Sequence, residues 1–183
     1  MKNILVVIDV QNGFVYTPEK TAISQKIIEL TQKHIFDRVV CVKFVNRDDG
    51  VFPKYHRYYD MHKGKEIELV DELTADMVIN RSVYSCVSDE FIEKVVKIND
   101  GDNLVELFLC GIGTDTSIMK SALDLFERDI KPIILTHYCI PHDNSAITQM
   151  KGITLVSRMV SDKCIVNKDI NTKEDLQEIA CIK

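Results

Sequence analysis

Short apolar runs alternate with stretches of helical period from one end of the chain to the other. Ile4–Ile8, Arg38–Val45, Met77–Asn80, Leu104–Gly111, Pro132–His137 and Ile153–Val156 read as strands, rich in β-branched residues. Most are continuously apolar rather than alternating, which is the pattern of strands covered on both faces. Between them, Ile23, Ile27 and Leu30 recur at helical spacing, as do Phe91, Val95 and Ile98, and then Ile118, Ala122 and Leu125. This order predicts an α/β fold, a three-layer α/β/α sandwich on a mainly parallel six-stranded sheet with right-handed crossovers. One stretch breaks the rhythm. Asn46 to Lys65 has no clear period and is rich in Tyr, His and charge, and a loop of that length is usually functional or mobile.

Composition narrows the reading without changing it. The 183 residues suit one domain, 1–183, with a substantial core. A net charge of −5 with scattered Lys and Arg argues against nucleic acid or an anionic membrane as partner. The first apolar run stops at Asp9, short of an export-signal core, and no stretch reaches transmembrane length. The six cysteines, at 41, 86, 110, 139, 164 and 181, contain no C-x-x-C pair. They read as free thiols of a cytoplasmic protein, most of them filling core positions.

In open parallel sheets, ligands bind beyond the carboxyl ends of the strands. Three positions there carry chemistry. Asp9 ends the run ILVVI, where a carboxylate must be paired or hydrogen-bonded; it either caps the Gln11–Gly13 turn or acts on a ligand. Arg81 follows the third strand; it is either a surface charge or the charge-assisted partner of a strand-end Asp. After the fourth strand comes Gly111-Ile112-Gly113-Thr114-Asp115-Thr116-Ser117. Its glycines permit unusual backbone, Thr114 or Asp115 can cap the next helix, and Ser117 then lies in the first turn, where free N–H groups favour an anion. A plain capped turn is the simpler account of that segment.

Together these stretches, ILVVIDVQNGF, VINRSVYSCVSDEF and CGIGTDTSIMKSALDLFERDIKPI, resemble the isochorismatase-like hydrolases, which include nicotinamidases, other cysteine amidohydrolases and isochorismatases. The resemblance covers nearly the whole chain. The family's Asp, Lys and nucleophilic Cys fall on Asp9, Arg81 and Ser117, so one of the three is kept. A serine hydroxyl needs a better base than a thiol does, and Arg81 weakens Asp9 as that base. The isochorismatase branch, which FERDIKPI resembles, instead uses its Asp to protonate an enol ether, and this requires a raised pKa. The resemblance also implies an oxyanion site at the Gly113 and Ser117 N–H groups, with a cis peptide at Ile112–Gly113.

The expected function is hydrolysis of a small metabolite, at an amide or other C–N bond or at an enol ether. The alternative is an inactive relative serving as a ligand-binding or assembly protein. No cofactor is expected. No metal is assigned either, because NRDDGVFPKYHRYYDMH holds His56 and His62 but lacks the Asp-x-His pair of the nicotinamidases. Cys86, five residues past Arg81, reads as core rather than as a relocated thiol. The family resemblance further implies a homo-oligomer, a homodimer in the simplest case.

Overall fold

The computed structural model describes residues 2–180. Six strands form one parallel sheet: β1 (Ile4–Ile8), β2 (Arg38–Phe44), β3 (Met77–Arg81), β4 (Glu106–Ile112), β5 (Lys131–Ile140) and β6 (Ile165–Val166). Their order is β3-β2-β1-β4-β5-β6, with every neighbouring pair parallel. Helices α1 (Pro18–Gln32), α2 (Asp89–Ile98), α3 (Met119–Phe126), α4 (Ala146–Met159) and α5 (Lys173–Ala180) connect and flank it. The strand order reverses at β1 and β4, and the crevice of such a sheet opens at that switch.

The continuous apolar runs are explained by coverage. Every residue of β1 is buried, and so are Val40–Val42, Leu107–Cys110 and Ile133–Leu135. Burial on this scale contributes about 25 cal/mol per Å² of apolar surface, which is why the central strands tolerate almost no polar residue. Helix α1 starts where Thr17 accepts from the Lys20 N–H and Pro18 takes the first helical position.

The sixth strand is not where the apolar run Ile153–Val156 suggests. That run lies inside α4, and the strand is the two-residue β6, paired with Ile134 and Leu135 of β5. Ser145 caps α4 through the Thr148 N–H, so the helix is already running when the apolar run begins. Gly152 and Val156 are the residues it buries. A Cβ on Gly152 would lie 2.8 Å from the Asp115 Cα, so the glycine lets α4 close on the turn after β4. Helix α5, with Leu176 and Ile179 buried, was not among the elements read from the pattern. The region 46–65 holds a single π-helical turn at Phe52–His56, and a short 3-10 turn follows at Gly64–Ile67.

Candidate active site

Asp9 follows β1 with φ at 61°, a left-handed conformation that Asp tolerates better than most residues. Its side chain is 0% exposed. Next to it, Gly111 of β4 has φ at 128°, and a Cβ there would stand 2.0 Å from the Ile8 carbonyl oxygen. Only glycine lets β4 run this close to β1 at the strand end. That approach brings the turn after β4 up to Asp9.

The three strand-end residues meet. The Ser117 hydroxyl donates to Asp9 Oδ2 at 2.9 Å and accepts from Arg81 Nη2 at 2.8 Å. The same Arg81 nitrogen donates to Asp9 Oδ2, closing a three-membered ring of charge-assisted bonds. Arg81 is held from both sides: Nη1 donates to the Val83 carbonyl and the guanidinium lies 5.3 Å from the Phe44 ring centroid. The Asp9 side chain makes no capping bond to the Gln11–Gly13 turn; its Oδ2 instead accepts from Arg81 and Ser117.

Burial pushes the Asp9 carboxyl above its ordinary value, against the opposing pull of Arg81 and of the Ser117 hydrogen bond. Two buried atoms in this ring have no partner, Asp9 Oδ1 and Arg81 Nε. Buried polar atoms are nearly always satisfied, and the exceptions gather where a ligand completes them.

The turn carrying Ser117 differs from its expected form in two ways. Neither Thr114 nor Asp115 caps it. Gly113, at φ 89°, occupies the cap position with no side-chain bond, and residues Thr114–Ile118 form a π-helical turn leading into α3. The left-handed glycine turns its carbonyl inward, where it accepts from the Thr116 and Ile118 N–H groups, and so replaces a side-chain cap. The peptide bonds of the described residues are all trans, Ile112–Gly113 included. With that geometry the Gly113 N–H donates to the Ile140 carbonyl at 2.7 Å, and it points into the sheet edge rather than to a ligand.

A family model and solved structures both match the chain. Residues 3–157 match the isochorismatase domain. The chain belongs to the isochorismatase family. Among solved structures, an isochorismatase-like hydrolase from Alkaliphilus metalliredigens superposes with a TM-score of 0.77 at 14% identity, over 97% of this chain and 98% of that one. N-carbamoylsarcosine amidase from Thermoplasma acidophilum gives 0.69 at 21% identity, over 86% and 92%. A nicotinamidase from Bacillus subtilis gives 0.69 at 18%, over 86% and 95%. Likeness at such identities carries the fold. No curated protein sequence matches the chain.

In this isochorismatase-family chain the three residues lie under a cleft of 610 Å³ whose walls carry Phe14, Tyr16, Phe44, Phe52, Tyr58 and His142. The loop 46–65 supplies part of that wall, as its composition suggested. Two residues here have roles that the sequence reading did not assign. Gln11 is fully buried and ties the site's backbone together: its amide donates to the Phe44 and Ile67 carbonyls at 2.9 Å and accepts from the Phe44 N–H at 2.7 Å. His142 packs edge-on against Phe14 at 5.0 Å, and its Nε2 would lie 3.0 Å from a Cβ on Gly113. Burial, helped by the charges of Lys20 and Arg81, pushes the His142 imidazole down to about 4, so it is neutral at pH 7. Gln11 lies within the first motif stretch without being marked by it, and His142 lies outside all three.

The histidines of the loop do not form a metal site. His56 packs against Phe52 and Tyr84, while His62 Nδ1 sits 3.3 Å from Asp48. Among the described residues, no group of three His, Cys, Asp or Glu side chains is placed to hold a metal ion. Cys86 is buried with its thiol pushed up to about 11 by desolvation, and its N–H donates to Ser121 Oγ at 3.1 Å. That is core behaviour, and a thiol so shifted is a poor nucleophile. The other described cysteines are buried as well; Cys181 lies outside the described residues. Among those residues no helix is long and apolar enough to cross a membrane.

Proposed function

We propose that this isochorismatase-family protein hydrolyses an amide or other acyl C–N bond of a small metabolite, with Ser117 as nucleophile and Asp9 as its base. The observation that carries this is the direction of the Ser117 hydrogen bonds. The hydroxyl proton points at Asp9 while its lone pair receives a proton from Arg81. A base stands where the proton must go, and a cation stands where alkoxide charge develops.

Where the family usually has Lys and Cys, this chain has Arg81 and Ser117. The raised Asp9 pKa offsets the weaker acidity of a hydroxyl, since a carboxylate nearer neutrality is the stronger base. In the first half-reaction Ser117 Oγ attacks the carbonyl carbon and its proton passes to Asp9. The C–N bond then breaks, and Asp9 returns that proton to the leaving nitrogen. Water, deprotonated by Asp9, attacks the resulting ester and releases the acid and Ser117.

One observation favours a second reading, a pocket that binds without chemistry: the Gly113 N–H is bound to Ile140 and does not serve an oxyanion. A hydrolysis screen over amides, ureides and isochorismate separates the readings. Serine catalysis predicts turnover that falls by about 10³-fold or more in Ser117→Ala and in Asp9→Asn alike. Turnover lost in Asp9→Asn but kept in Ser117→Ala would move the assignment to Asp-directed protonation of an enol ether. No Asp9-dependent turnover would leave the binding reading.

A further inference from the structure

Helix α1 carries a lysine that the mechanism above does not use. Lys20 is 1% exposed and ranks among the largest fully buried side chains of the protein. It has neither an ion pair nor a side-chain hydrogen bond among the described residues. Its ammonium lies instead over the Tyr16 ring, 4.3 Å from the centroid. Burying a charge without a counter-ion is costly, and proteins that do so generally supply the counter-ion from elsewhere. Cation–π contact with one ring recovers only part of that cost.

The position of Lys20 says where such a counter-ion would come from. Tyr16 and His142 both line the cleft above Ser117, and the charge of Lys20 is felt at His142. Tyr16 is 71% exposed, so its ring can swing outward and open the wall in front of the ammonium. His142, neutral and free of any other hydrogen bond among the described residues, can donate to the same group. The other charged residues lining the cleft are Asp9, Arg81, Glu66 and Asp60. Arg81 is neutralised by Asp9. Glu66 is held by the His62 and Lys63 N–H groups, and Asp60 is exposed to solvent.

We infer that the cleft takes a substrate bearing a carboxylate, held by Lys20 and His142 at the Tyr16 wall, away from the bond that Ser117 attacks. This names the substrate class of the hydrolase site and rests on that site being the binding pocket. Binding energy gained so far from the reacting bond would orient the acyl group over Ser117.

Benzoate and benzamide are matched probes, equal in shape and different in charge. Calorimetry, with the His142 ring-proton resonance as a local reporter, should show benzoate binding about tenfold more tightly than benzamide. Lys20→Met, which keeps the aliphatic stem, should abolish the preference, and Lys20→Arg should keep most of it. Ser117→Ala should leave it unchanged, so failure of the nucleophile assignment would be seen separately in the hydrolysis screen. Equal affinity for the two probes in the wild-type protein, no binding of either, or a preference that survives Lys20→Met would overturn the inference. The wild-type comparison decides the matter even if a Lys20 variant folds poorly.

Discussion

The cleft over Ser117 has a larger counterpart at the opposite end of the sheet. At the amino ends of β4 and β5 lies a cavity of 960 Å³, walled by Leu104, Val105, Phe126, Ile130 and Pro132 with Arg128 and Lys131 at its rim. The cleft over the carboxyl ends measures 610 Å³. None of the buried unpartnered side-chain atoms among the described residues belongs to the larger cavity's lining, whereas Asp9 Oδ1 and Arg81 Nε both belong to the smaller one's. Volume records where packing is incomplete. Unsatisfied buried polarity records where chemistry is incomplete, and that is the better guide to a site.

The comparison can be broken by substitution. Arg81→Met removes the cation that accompanies a fully buried carboxylate, and should lower unfolding free energy at pH 7 by about 3 kcal/mol. Val105→Thr, at an exposed position of the amino-end cavity, should stay within about 0.5 kcal/mol. Urea denaturation measures both, and equal losses would mean that the two regions do not differ in kind.

A smaller effect sharpens the picture through pH. His142 titrates near 4 in the folded protein against 6.5 ordinarily. Between those values the unfolded chain takes up a proton that the folded chain refuses. The contribution of His142 is therefore present above pH 6.5 and is lost as pH falls toward 4, by up to about 3 kcal/mol. His142→Gln should flatten that part of the stability profile. Asp9 acts in the opposite sense: its raised value favours the folded state most in acid, and that contribution is lost as pH rises through the folded pKa. A profile unchanged by His142→Gln would place the imidazole in solvent.

The fold was legible where one face of a pattern decides one element. The wholly apolar run of β1 followed by Asp9 needs a strand tip buried on both sides, and the glycine near the end of β4 marks the close approach that Gly111 makes to Ile8. The run Ile153–Val156 misled because β-branched residues over a short window suit a buried strand as well as a helix, and the Ser145 cap lies well before it. The π-helical turn and the engagement of the Gly113 N–H with Ile140 depend on β5, remote in sequence. His142 was silent for the same reason. Lys20 stands three residues before Ile23 and seven before Ile27, on the face that α1 buries, but a lysine at the start of an apolar stripe does not by itself read as core.

The central claim is that Ser117 is an activated nucleophile. Treating the wild-type protein with a small alkyl fluorophosphonate and mapping adducts by peptide mass tests this without knowledge of the substrate. The account predicts one phosphonyl adduct, on Ser117, forming at least about 100-fold more slowly in Asp9→Asn because the base is gone. No adduct on Ser117, or an adduct whose rate ignores Asp9→Asn, would contradict it.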